Sequence, residues 1–291
     1  MERPWSLILE SSASVEDGSP GVIVVPMRLE IGGELLRDGV DITPDEVYAR
    51  LEAGEIVRTS TPSPGEFLEA MRASTGEAIV CLTMAATLSA TNQAAHVAAG
   101  MLADEGDSRR VLVVDTGSAA AGLGLVARIA IELMRQGASL ERLEERLTRA
   151  SQDVVLIGSL ATLKYLRRSG RVPAVAAEVG DLLKVRPLLE LRHSVARRTG
   201  IVRGEERMIT ALRRLAVETR RHDPMRPLWL LTVHAAAPER AARVRRELHA
   251  VLPVARSETL AMSPVMGAYT GPGMVAFALL PLDDGEVGEV D

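Results

Sequence analysis

Between Ser6 and Val114 short apolar runs alternate with helix-like stretches, and that alternation constrains the fold more than any other feature of the chain. A run of strand, helix, strand, helix is the pattern of a parallel sheet covered by helices. Ser6 to Leu9, Val22 to Met27, Ala78 to Leu82 and Val111 to Val114 read as strands. Two of the intervening helices announce their starts. Thr43-Pro44-Asp45-Glu46 and Ser63-Pro64-Gly65-Glu66 each supply a capping hydroxyl, a proline in the first turn and a glutamate three residues after the cap.

A long helical stretch from about Ser118 to Gln152 leads into a second unit. There Val154 to Ile157, Val185 to Leu191, Leu228 to Val233, Val254 to Leu260 and Met274 to Leu280 read as strands. Helices are expected up to Ser169-Gly170, around Glu205 to Thr219 and over Pro238 to Val251, giving a mixed sheet with helices on it. The fold class is therefore α/β, with an amino-terminal domain over 1–152 and a second over 153–282. The last nine residues carry five acidic side chains and are expected to fray. They account for the net charge of −5, so the body of the chain is close to neutral.

Several classes are disfavoured by composition. No apolar run approaches the roughly 18 to 20 residues of a membrane span, and the first residues lack a signal peptide's pattern, so a cytoplasmic protein is expected. The single cysteine, Cys81, lies in an apolar run and reads as a small buried side chain. Seven aromatic residues leave few platforms for stacking bases, and a near-neutral body attracts nucleic acid weakly, so no nucleic acid is expected as a partner. There is no Walker loop, nucleophile elbow, dinucleotide fingerprint or His-Glu-x-x-His site, and the five histidines are widely spaced. Neither catalytic residues, a metal nor a cofactor is expected.

Three polar segments interrupt the apolar pattern: Thr59-Ser60-Thr61-Pro62-Ser63, Thr87-Leu88-Ser89-Ala90-Thr91 and Tyr269-Thr270-Gly271-Pro272-Gly273. The first two precede helices, where unpaired N–H groups and the positive dipole end suit an anion such as a carboxylate. A serine in such a place more commonly just caps its helix. Thr59 differs, because Ser63 already supplies the cap and leaves the threonine hydroxyl without a local task.

In order along nearly the whole chain, these segments resemble the DegV family, which includes the fatty-acid-binding subunits of bacterial fatty acid kinase. Glu10-Ser11-Ser12 resembles that family's Asp-Ser-Ser, and Val25-Pro26 with Asp38-Gly39-Val40-Asp41-Ile42-Thr43 its next characteristic stretch. Thr59-Ser60-Thr61-Pro62 is similar to Thr-Ser-Gln-Pro, Leu88-Ser89-Ala90-Thr91 to Leu-Ser-Gly-Thr, and Val114-Asp115-Thr116 with Gly122-Leu123-Gly124 to the Asp-Ser and Gly-Leu-Gly elements. Ser169-Gly170-Arg171 resembles the Gly-Gly-Arg loop, and Thr270-Gly271-Pro272-Gly273 the His-Thr-Gly-Pro-Gly turn. The resemblance implies a palmitate-like long-chain fatty acid buried in an apolar tunnel, its carboxylate held by Thr59 and Ser89. It also implies headgroup or partner-facing roles for Arg171, Arg207, Tyr269 and Thr270, and an ATP-dependent fatty acid kinase subunit as partner. Glu10, Ala90 and Tyr269 stand where the family has aspartate, glycine and histidine; a tyrosine there can donate a hydrogen bond but carries no positive charge at neutral pH.

Two other readings remain open on the residues. Ten arginines fall between Arg192 and Arg226, either a solvated surface or a docking face of a regulatory module. Alternatively, one of the Ser/Thr clusters serves a phosphotransferase or hydrolase, which would need a base beside the serine.

Overall fold

The computed structural model describes residues 5–15, 20–171 and 185–286. Four parallel strands form the first sheet, in the order β2-β1-β6-β7: β1 Ser6–Glu10, β2 Val22–Val25, β6 Ala78–Thr83 and β7 Arg110–Asp115. Alternate side chains of β1 and β6 point to opposite faces. Leu7, Leu9, Val80 and Leu82 enter one core, while Ile8, Ile79 and Cys81 enter another with Phe67 and Met71 of α2 (Pro64–Ala73) and Ala95 and Leu102 of α3 (Thr91–Asp104). Burial on both faces explains why these strands read as unbroken apolar runs.

The second sheet has six strands in the order β10-β9-β8-β13-β11-β12: β8 Val155–Ser159, β9 Val185–Arg192, β10 Val195–Arg203, β11 Leu228–His234, β12 Val254–Ala261 and β13 Val275–Pro281. Only β11 and β12 pair in parallel, joined by helix α8 (Pro238–His249); the other neighbours are antiparallel. Helix α7 (Glu205–Thr219) and α8 cover one face through Leu212 and Val244.

The stretch read as one long helix is two, α4 (Ala121–Arg135) and α5 (Leu140–Asp153). Between them Gly137 takes a left-handed φ of +67°, which ends one helix, and the Ser139 hydroxyl accepts from the Arg142 N–H to start the next. Helix α4 packs on β1 and β6 of the first sheet and on β11 and β13 of the second. Lying between two sheets, it buries Leu123, Leu125, Val126 and Ile129 around its circumference rather than along one stripe. A Cβ at Gly124 would come within 2.6 Å of the Ala13 carbonyl oxygen, so the glycine permits the close approach of the 3-10 turn Ser11–Ala13.

Three short strands escaped the sequence reading: β3 Arg28–Ile31, β4 Glu34–Arg37 and β5 Val57–Ser60, which form an antiparallel sheet in the order β4-β3-β5. Both capping boxes are present, Thr43 with Glu46 on α1 (Pro44–Glu52) and Ser63 with Glu66 on α2. Tyr269 and Thr270, read as part of a turn, instead close a seven-residue helix, α9 (Pro264–Thr270). The tail expected to fray is anchored as far as Glu286, whose carboxylate pairs with Arg146. Residues 287–291 lie outside the described residues. No helix among the described residues is long and apolar enough to cross a membrane.

Candidate functional site

The segments that follow β2, β6 and β7, the end of β5, and the helices α6 (Lys164–Ser169) and α9 surround a cleft of about 640 Å³. Thr59, Ser89, Arg171, Tyr269 and Thr270 all line it. Arg207 does not; it stands on the exposed surface of α7, where a partner-facing role remains its expectation. An apolar chamber of about 130 Å³ shares Leu88, Ala119, Leu166, Met266 and Thr270 with the cleft and continues inward between Leu156, Leu191, Met262, Met274 and Ala276. The chamber lies against the side of the second sheet that faces α4.

The Ser89 loop is fixed from below. Asp115, at the end of β7, accepts from the Ala86 N–H at 3.1 Å and the Gly117 N–H at 2.8 Å, and the Thr116 hydroxyl bonds the Thr83 carbonyl. Ala90, not Ser89, is the N-cap residue of α3, and it supplies no side-chain cap. The Ser89 oxygen accepts weakly from the Thr91 N–H at 3.3 Å and lies 2.6 Å from the Thr91 hydroxyl oxygen. Thr91 in turn bonds the Glu10 carboxyl at 3.1 Å.

Thr59 reaches the cleft from the opposite side, and its hydroxyl is hydrogen-bonded to the Tyr269 hydroxyl. The hydroxyl without a local task thus has a partner 210 residues away. Arg171 places its guanidinium 5.9 Å from the centre of the Tyr269 ring, within cation–π range, and donates to the Ser169 carbonyl at 3.0 Å. The Thr270 hydroxyl turns back to the Met266 carbonyl at 3.1 Å, so it offers the cleft an acceptor rather than a proton. Gly271 follows with φ +67°, and a Cβ there would run into the Tyr165 ring; glycine therefore permits the chain to leave α9 over that ring.

Two buried carboxyls support these elements, and neither was singled out as a site residue from sequence. Asp38 accepts from the Ser11 hydroxyl and, at 2.7 Å, from the Val265 N–H, tying the start of α9 to the first sheet. Burial pushes its pKa up to about 6, against the hydrogen bonds from Ser11 and Val265. Glu10 is fully buried at the end of β1 and accepts from the Met84 N–H and from Thr91. Burial raises its pKa to about 7, opposed by those two hydrogen bonds and assisted by the charge of Asp38. One signal was legible: an acid ending the apolar strand Ser6–Glu10 stands at the carboxyl edge of a parallel sheet, where ligands bind.

The fold and cleft define a class, an α/β protein with two principal sheets in which an apolar chamber opens through a mouth lined by hydroxyls. Among the described residues no histidine lines that mouth, and no group of three or more His, Cys, Asp or Glu side chains is arranged to hold a metal ion. The chain belongs to the DegV family: the family model described as "Uncharacterised protein, DegV family" matches residues 5–282. A DegV domain-containing protein of Deinococcus radiodurans is 34% identical over 90% of this chain and 92% of its own length. A fatty-acid-binding DegV family protein from Thermus thermophilus superposes with a TM-score of 0.87 at 29% identity, over 96% of this chain and all of that one. A DegV lipid-binding protein from Thermotoga maritima gives 0.82 at 26% identity, over 97% of this chain and 99% of that one.

Proposed function

We propose that this protein carries one long-chain fatty acid of palmitate type, with its tail running from the cleft into the chamber and its carboxylate at Thr59 and Ser89, and presents that carboxylate to a separate ATP-dependent kinase subunit in the cytoplasm. The observation that carries the reading is the junction of the two spaces. Apolar side chains line the interior, hydroxyls gather at the mouth, and Leu88, Met266 and Thr270 belong to both. The fatty-acid-binding protein of Thermus thermophilus supports it through a shared fold and 29% identity.

Burying a saturated tail is worth roughly 0.8 kcal/mol per methylene, on the order of 10 kcal/mol gross for a long chain before confinement is subtracted. The methionines Met262, Met266 and Met274 suit such a tail, since an unbranched thioether repacks around irregular shapes. The enzyme alternative lacks a base, because the side chain bonded to Ser89 is a threonine hydroxyl. The arginine-rich segment is largely neutralised within the protein, as in Arg197 with Glu190, Arg213 with Glu247 and Arg226 with Asp283, which disfavours a broad anionic docking face.

Gentle extraction of the protein purified from cells, followed by mass spectrometry, is expected to release a stoichiometric fatty acid. Recovery of none from folded protein would overturn the carrier reading. Ser89→Ala and Thr59→Ala, measured separately against palmitate, are each expected to lose about 1–3 kcal/mol of binding while the fold is kept, because each removes a donor to a partly desolvated carboxylate. Parent-like affinity in both would refute the assignment of those residues.

Tyr269 and Arg171 bear on transfer more than on affinity. With the same kinase, Tyr269→His is expected to form acyl phosphate faster than the parent at similar palmitate affinity, because an imidazolium can offset charge on the headgroup and a phenol cannot. A histidine variant that gains neither affinity nor rate would leave Tyr269 as a shape element closing the mouth.

A further inference from the structure

Ser89 is the end of a chain of hydroxyls leading to a buried carboxyl. Glu10 Oε1 accepts from the Met84 N–H, so a proton on this carboxyl resides on Oε2, the oxygen facing Thr91. Thr91 Oγ1 and Ser89 Oγ are only 2.6 Å apart, a separation at which one of the two must donate to the other. Each hydroxyl has a single proton. These facts allow two arrangements. With Glu10 ionised, Thr91 donates to Oε2 and Ser89 donates to Thr91, so the serine shows the cleft a lone pair. With Glu10 protonated, Oε2–H donates to Thr91 and Thr91 donates to Ser89, whose own proton is released towards the cleft.

We propose that Glu10 is a positioning residue which, acting through Thr91, sets whether Ser89 donates or accepts, so that capture of a carboxylate at Ser89 is coupled to uptake of one proton by Glu10. This rests on the fatty-acid reading of the cleft. The balance is complete: one proton from solvent goes to Glu10 Oε2, two hydrogen bonds reverse direction, and no covalent bond between heavy atoms changes. An ionised Glu10 resists carboxylate binding twice, by withdrawing the Ser89 donor and by placing a second negative charge behind it.

The titratable groups facing Glu10 are Asp38 from the segment after β4 and Cys81 from β6; α3 meets it through Thr91 and the loop after β6 through the Met84 N–H. Asp38 is charged above about pH 6 and favours the protonated form of Glu10. Cys81 is held far into its neutral form by burial. The unliganded carboxyl changes charge near pH 7, inside the range where a switch of this kind is sensitive.

Dodecanoate, a monomeric probe, tests the coupling. Its affinity is expected to be flat below about pH 6 and to fall by up to about tenfold per pH unit above the Glu10 transition, with close to one proton taken up at pH 8. Calorimetry in buffers of different ionisation enthalpy counts that proton. Glu10→Gln keeps a donor towards Thr91 and should abolish both the slope and the uptake. Thr91→Val removes the relay while leaving the Glu10 charge in place and should reduce both to the part owed to direct repulsion, whereas Thr91→Ser should restore both in full. Binding without proton uptake in the parent, or uptake in Thr91→Val as large as the parent's, overturns the relay and leaves fatty-acid binding intact. Absence of dodecanoate binding at every pH in folded parent protein overturns the fatty-acid reading and the relay with it.

Discussion

Ala276→Leu is expected to abolish binding of long acyl chains while leaving a short carboxylate almost untouched. Ala276 is 1% exposed, lies on the central strand β13 opposite Gly158, and forms part of the chamber wall. Space there is already limited: a Cβ on Gly158 would meet that of Ala276 at 2.7 Å. A leucine at 276 must therefore project into the chamber and occupy the volume a tail needs. Palmitate affinity should drop more than about a hundredfold, equivalent to about 3 kcal/mol, and hexanoate affinity by less than about threefold. Overpacking a tight core costs typically 1–3 kcal/mol, and the open chamber keeps this variant near the low end. Titration calorimetry with both acids, alongside urea unfolding, checks the result. Parent-like palmitate affinity in a folded variant would mean that the tail lies elsewhere.

Arg146→Met is expected to produce the largest loss of stability among single substitutions outside the apolar cores. The Arg146 side chain, on α5, is 3% exposed; it donates to Glu286 at 2.7 and 2.8 Å and to the Pro281 carbonyl at 3.0 Å. Glu286 is itself buried, and Asp283 beside it is held by Arg149 and Arg226, each at 2.6 Å. Methionine keeps the bulk of the arginine stem but leaves the Glu286 carboxylate buried without its counter-ion, which costs about 3–5 kcal/mol. Arg146→Met combined with Glu286→Met should recover most of that loss, because the cost comes from the unpaired charge and not from the missing pair. Urea unfolding of both variants decides the matter. A single variant within about 1 kcal/mol of the parent would place this pair with ordinary surface ion pairs.

Helix starts and buried strands were legible because their causes are local. The capping boxes at Thr43 and Ser63 need only four consecutive residues, and both are present. Strands buried on two faces carry continuous apolar runs, so β1 and β6 stand out, and the edge strand β7, half-buried on both faces, reads the same way. The strands β3, β4 and β5 were missed because they are four residues each and carry charge: Arg28, Glu30, Glu34, Arg37 and Arg58 lie in them. The break between α4 and α5 was missed because the apolar pattern runs across it, while the backbone reverses at Gly137. Helix α9 is seven residues long, and no side chain of its own sequence caps its start.

The sequence by itself determined the alternation of elements, the two capped helices, the family, and the residues Thr59, Ser89, Arg171, Tyr269 and Thr270 that meet at one cleft. Tertiary structure alone decided what each of those groups bonds to. Asp38 receives the Val265 N–H from 227 residues away, Thr59 meets Tyr269 across 210, and the Ser89 hydroxyl is joined through Thr91 to a carboxyl 81 residues earlier than that threonine. A cap or a strand face is set by neighbours within a few residues, so its pattern survives in one dimension. Hydrogen-bond direction, and the burial that lifts the Glu10 carboxyl to a pKa of about 7, depend on which distant segments close around the group, and only the packed fold brings them there.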